Sequence, residues 1–159
     1  MSILWVLSGT VMMMTLLCLL LYQAKCSIKK MERRIFQEAK QELALNQNNV
    51  IIIGVDYAHS SFKKIDAIMS KSSSQSSNIV VVMHGPDFLV RMKQKIWKGC
   101  GHVLPASNEA TSKWTALLRE KTEVIAWNGV RSVRYTEVEM YLETQLYKQD
   151  GKVQEGEAV

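Results

Sequence analysis

The chain has 159 residues, 47% of them hydrophobic and 22% charged, with a net charge of +5. That length holds one domain of ordinary size plus an anchor. The three cysteines, Cys18, Cys26 and Cys100, give no even framework and no CxxC pair, which excludes a disulfide-stapled scaffold and fits a reducing compartment.

From Ser2 to Ala24 there is no charged residue. Such a run is about the ~20 apolar residues that cross ~30 Å of hydrocarbon. Trp5 and Tyr22 sit near its ends, where interfacial aromatics belong. Nothing basic precedes the run, and Gln23-Ala24-Lys25-Cys26 is a poor cleavage site, so residues 1–24 read as a retained signal anchor rather than a cleaved leader. Lys25, Lys29, Lys30, Arg33 and Arg34 follow, opposed by Glu32, and this segment carries +4 of the net +5. The sequence pI of about 9.1 is therefore local, and no nucleic-acid partner is expected. By the positive-inside rule the N-terminus lies outside and the C-terminal domain in the cytoplasm. The same five cations are the expected membrane-surface residues, drawn to anionic headgroups of the bilayer. Cys26 beside the span reads as a plain interfacial thiol, with acylation as the alternative.

Residues 25–49 predict a basic amphipathic helix, with Ile28, Met31, Ile35, Ala39 and Leu43 at three- and four-residue steps. Its expected use is packing against the domain, and Asn46 to Asn49 end it. Residues 50–149 predict an α/β domain. Val50 to Asp56 is a first strand with a solid β-branched run, and Phe62, Ile65, Ile68 and Met69 mark a helix face opposite Lys63, Lys64 and Asp66. Lys71 to Ser77 is a polar loop. Ile79 to Val82 is a second strand without polar alternation, as suits a strand covered on both faces. Gly85 and Pro86 turn it into a helix whose expected apolar positions are Phe88, Leu89, Met92 and Ile96, with Arg91, Lys93, Lys95 and Lys98 toward solvent. Gly99 to Gly101 stops that helix, and His102 to Ser107 is a connector or short edge strand. A third helix carries Trp114, Leu117 and Leu118; Glu123 to Trp127 is a third strand; Val130 to Tyr135 is a short fourth. Glu137 to Lys148 is a last helix with Val138, Tyr141, Leu142 and Leu146 inward, and residues 150–159 form a charged tail expected to be disordered. Strands alternating with helices predict a small parallel sheet with helices on both faces.

In such sheets ligands bind beyond the carboxyl ends of the strands. That rule nominates Asp56, Tyr57 and His59 after the first strand, His84, Gly85 and Asp87 after the second, and Trp127 and Asn128 after the third. Each has a plainer reading: a turn or cap carboxylate, a hydrogen-bonded edge histidine, a core tryptophan. Gly99 to Leu104 lacks the third glycine of a dinucleotide fingerprint and there is no P-loop, so no cofactor is expected. Cys100 and the histidines lack metal-ligand spacing, so no metal is expected. Cys100 lies between two glycines with Lys98 and His102 nearby, so it and His84 are the candidate catalytic groups.

The pattern resembles the DsrE/DsrF-like family of small α/β domains associated with sulfur relay. The resemblance covers about residues 50–147. It rests on Ile51 to Asp56 followed by the Phe62–Met69 helix, on Val80-Val81-Val82-Met83-His84-Gly85-Pro86, and on the Leu117 to Trp127 helix–strand unit. It implies an α/β fold and a persulfide-bearing cysteine at the end of the third strand. Trp127 stands there instead, the excursion before the last strand is shorter, and the anchor is atypical. The resemblance thus implies a non-catalytic member, or one whose thiol has moved to Cys100. The expected function is a membrane-tethered binding or adaptor domain with a protein partner or a second copy of itself. The alternative is a thiol-dependent sulfur carrier or transferase using Cys100.

Overall fold

The computed structural model describes residues 2–45, 49–71, 78–97, 101–129 and 131–145, with side chains from residue 7 onward. Lys98, Cys100, Leu146, the serine loop, the side chain of Trp5 and the C-terminal tail lie outside the described residues.

The first helix, α1, runs unbroken from Ser2 to Glu42, 41 residues, or ~62 Å at ~1.5 Å per residue. Part of Leu7–Glu42 is long and apolar enough to cross a membrane. The anchor and the amphipathic segment are therefore one helix. It stops before the asparagine run. Leu45 N–H donates to the Lys40 carbonyl and Ala44 N–H to that of Gln41, both at 3.1 Å, with Ala44 in the left-handed region at φ 50°. This is a Schellman closure with an alanine where glycine is commoner, and the apolar residue that follows, Leu45, is buried.

Then follow β1 (Val50–Asp56), α2 (Phe62–Lys71), β2 (Ile79–His84), α3 (Asp87–Ile96), β3 (His102–Pro105), a 3-10 turn (Glu109–Thr111), α4 (Ser112–Leu117), β4 (Glu123–Trp127) and β5 (Ser132–Tyr135). A last helix, α5, covers 138–145. The strands form one sheet in the order β3-β2-β1-β4-β5. β1 pairs parallel with β2, Asp56 opposite His84, and β2 pairs parallel with β3.

The expected α/β architecture with helices on both faces is present, but the sheet is parallel only in part. β4 runs antiparallel to β1, with Trp127 opposite Val50, and β5 antiparallel to β4. The helix lengths match this. A parallel crossover must carry the chain back along a strand, ~23 Å for seven residues. α2 and α3 have ten residues each, ~15 Å before their flanking turns. α4 has six, ~9 Å. The chain therefore re-enters the sheet from the carboxyl end of β1. Gly54 allows the close return: a Cβ there would lie 2.8 Å from the Lys121 carbonyl oxygen.

Two cores flank the sheet. On one face α2, α3 and α5 cover Ile53, Val55, Val81, Met83 and Val124, with Trp97 and Phe62 among them. On the other, the end of α1 and α4 cover Val50, Ile52, Val80, Val82 and Ile125, with Phe36, Trp114 and Trp127. The continuous apolar runs of β1 and β2 follow from this two-sided burial.

Two helix faces differ from expectation. On α1, Ala39 is buried and Ile35 and Leu43 pack partly against the core as expected, but Ile28 and Met31 are exposed and Phe36 joins the buried contacts. On α3, Phe88, Met92 and Ile96 are 74%, 43% and 49% exposed, whereas Leu89, Val90 and Lys93 are buried. The apolar stripe and the buried stripe are adjacent rows of one helix. The buried row can include Lys93 because Asp66 of α2 meets it there. Lys93 Nζ lies 2.6 Å from both Asp66 carboxylate oxygens, and Trp97 Nε1 donates to Asp66 Oδ1 at 3.1 Å. Lys93 and Asp66, both expected to face solvent, thus form a pair between the two helices.

Candidate functional site

The nominated residues fall into two groups at opposite ends of the sheet. Asp56, Tyr57, His59, His84, Gly85 and Asp87 gather at the carboxyl ends of β1 and β2. Trp127 and Asn128 lie at the other end, because β4 is antiparallel. A single ligand edge containing Trp127 does not form.

At the first edge the polar groups are engaged in turns. Asp56 Oδ1 accepts from Ala58 N–H at 3.0 Å and Thr122 Oγ1 accepts from Asp56 N–H at 3.2 Å. His59 Nδ1 accepts from Ser61 N–H at 3.2 Å. Asp87, the first residue of α3, accepts from Ser107 Oγ at 3.2 Å. Gly85 lets the turn pass Tyr57, whose Cβ would lie 3.1 Å from an added methyl. His84 is different. Its Nε2 is buried without a hydrogen-bond partner. Burial lowers its pKa from 6.5; the Asp56 carboxylate opposes that and Lys121 adds to it. The imidazole is therefore held neutral at pH 7, with one buried nitrogen unused. Next to this edge a crevice of about 710 Å³ opens between the end of α1 and the start of α3, lined by Glu42, Asp87, Arg91, Gln94, Ser107 and Trp114 among others. Of the nominated residues only Asp87 reaches it. Among the described residues no group of three or more His, Cys, Asp or Glu could hold a metal ion.

The second group belongs to the junction between α1 and the domain. Phe36 stacks on Trp127 at 4.3 Å and 17° between planes, and meets Trp114 edge-on at 6.4 Å. Beside the rings Arg134 of β5 ties three elements. Its Nη2 donates to Glu32 Oε1 of α1 at 3.0 Å and to the Leu117 carbonyl at 3.0 Å, and its Nη1 donates to Glu123 Oε1 at 3.1 Å. Glu123 is 3% exposed. Its Oε1 also accepts from the backbone N–H groups of Arg119 and Glu120. A buried carboxylate is tolerable with this many donors. Farther along α1, Lys113 of α4 bonds Glu42 at 2.5 Å. That hydrogen bond, with the nearby Glu38 carboxylate, raises the Lys113 pKa.

Asn128 shapes the β4–β5 turn, its Oδ1 accepting from Arg131 N–H at 2.8 Å. Between this hairpin and residues 21–33 of α1 lies a crevice of about 890 Å³. It brings Lys25, Lys29 and Arg33 of the expected membrane-surface set together with Arg119, Arg131 and Arg134; Lys30 and Arg34 lie outside its lining. Sequence reasoning missed Phe36, Glu123 and these three arginines. The i, i+4 step from Glu32 to Phe36 was a usable signal; the arginines join α1 only through the fold. No match is found among protein families, among curated proteins or among solved structures.

Proposed function

We propose that the protein is a membrane-tethered binding or adaptor domain that holds a protein partner at a fixed orientation above a bilayer. The carrying observation is that the helix long and apolar enough to cross a membrane continues without a break into the helix packed on the sheet, through Phe36, Ala39 and the Glu32–Arg134 pair. A flexible tether would give a domain free to tumble; a continuous helix locked by ring stacking and ion pairs gives one orientation. The basic residues after the span support a cytoplasmic domain with the N-terminus outside. In that arrangement β5, beside residues 21–33, faces the membrane, and β3 and α3 face away. At the β1–β2 edge Asp56, His59 and Asp87 are tied into local hydrogen bonds, which favours binding over catalysis.

The outward α3 offers the docking surface: the exposed row Phe88, Met92 and Ile96, flanked by Arg91 and Lys95. Amphipathic helices recognise partners by laying an apolar face into a groove, and Phe88, Met92 and Ile96 lie on one such face at i, i+4 and i+8. The test is a photo-crosslinking amino acid at position 92 of the full chain in its native membrane. One or a few discrete protein adducts, lost in Phe88→Ser/Ile96→Ser, are expected; an adduct of twice the chain's mass would identify a second copy as the partner. A reagent at 92 that labels no protein would remove this reading.

A further inference from the structure

The crevice between α1 and the β4–β5 hairpin has a composition that neither the anchor nor the domain has alone. Six cationic side chains and one carboxylate line it. The carboxylate, Glu32, is occupied by Arg134 at 3.0 Å and Arg119 at 3.5 Å. Lys25, Lys29 and Arg131 have no acidic partner among the described residues. Beside these cations lies an apolar row. Leu21, Ala24 and Ile28 form one row of α1, beside the row of Lys25 and Lys29, and Val133 faces them from β5. The crevice thus joins cations from both α1 and the domain to an apolar row of α1, at the point where α1 passes from its apolar to its charged half.

Trp127 also lines the crevice; it is 5% exposed, and its indole N–H is buried without an acceptor. Buried indole N–H groups ordinarily find one. An oxygen-rich anion in the crevice would balance the cations Lys25, Lys29 and Arg131, which no carboxylate offsets among the described residues.

We propose that this crevice binds one anionic phospholipid, its phosphate between Lys25 and Lys29 of α1 and Arg119 and Arg131 of the domain, and an acyl chain along Leu21, Ala24 and Ile28. This rests on the membrane-tethered reading. It goes beyond the general attraction of a basic segment to anionic headgroups, because half of the cations come from the folded domain and the lipid becomes part of the junction. A phosphate at this position bridges α1 to the β4–β5 hairpin and reinforces the orientation set by Phe36.

The test uses the full chain reconstituted in equal parts phosphatidylcholine and phosphatidylglycerol, followed by native mass spectrometry after mild detergent extraction. The wild type is expected to retain one phosphatidylglycerol in preference to phosphatidylcholine. Arg119→Gln/Arg131→Gln is expected to lose that retention about tenfold. Lys30→Gln/Arg34→Gln, which removes the same charge from outside the crevice, is expected to keep it. Equal losses in the two double variants would reduce the effect to diffuse attraction and overturn the site, as would equal retention of the two lipids by the wild type. Competition by soluble glycerol phosphate as effective as that by the lipid would identify a free phosphate ligand and overturn the lipid assignment. Should the arginine variant fail to fold, Lys25→Gln/Lys29→Gln on exposed helix positions carries the same expectation. Alkaline carbonate extraction separates the two readings: a chain released from membranes overturns the tether, whereas an embedded chain without selective retention overturns the lipid site alone.

Discussion

Among single residues, the Lys93–Asp66 pair places a charge where an apolar side chain would be ordinary. The Lys93 side chain is 7% exposed and that of Asp66 28%. Removing one member of a buried pair leaves an uncompensated charge, which costs ~3 kcal/mol or more, whereas replacing both members by apolar side chains is close to neutral. Asp66→Ala is therefore expected to lower stability by about 3 kcal/mol in denaturant unfolding. The double variant Asp66→Leu/Lys93→Met should cost less than Asp66→Ala alone, since it leaves no unpaired charge between α2 and α3. A larger loss in the double variant would show the ion pair itself to be net stabilising. His84 carries a pH dependence of definite sign. Its folded pKa lies below the 6.5 of the unfolded chain. Between those two values the unfolded state binds more protons, so stability falls as pH drops from 6.5 toward the folded pKa. His84→Gln should flatten that part of a melting-temperature profile. A profile unchanged by the substitution would remove His84 as its source.

One level up, among the elements, α1 is held by few but large contacts. Phe36 is 1% exposed and touches two tryptophans. Truncating a buried phenylalanine costs about 3–5 kcal/mol, and here the loss falls on the α1–domain junction rather than on the sheet. Phe36→Ala is expected to leave the domain folded and to raise hydrogen exchange in residues 32–45 and α4 more than in β1 and β2. Uniform exchange across the sheet would mean that α1 and the domain unfold as one unit. The apolar stripe of α3 was legible in the sequence, but its direction was not. Phe88, Met92 and Ile96 obey the helical period as well as the buried row does. The choice between the rows was made by Asp66, twenty-seven residues before Lys93.

For the molecule as a whole, in the proposed membrane-tethered arrangement, the continuity of α1 couples membrane geometry to domain geometry. Each added residue rotates a helix by ~100° and lengthens it by ~1.5 Å. One alanine inserted between Lys30 and Met31 turns the anchor's face relative to the domain without touching the Phe36 contacts. A spin label at residue 131 is then expected to change its depth relative to the bilayer surface, while the domain's melting temperature stays constant. An unchanged depth would mean that the helix bends at the insertion and that the orientation is not fixed.

The elements themselves were written in the chain. β-Branched runs at 50–55 and 79–82 demand a sheet covered on both faces, and an uncharged run from Ser2 to Ala24 demands an apolar surrounding, because burial of apolar surface is a local property of composition and period. The same runs marked Asp56 and His84 as neighbours, since two parallel strands of similar length end together. Two features came from tertiary packing alone: the direction of β4, which separates Trp127 and Asn128 from His84, and the meeting of Lys25 and Lys29 with Arg119 and Arg131. Strand direction depends on how far a connecting helix can carry the chain, and a crevice depends on which distant elements pack together. Both are non-local, so no window of sequence contains them.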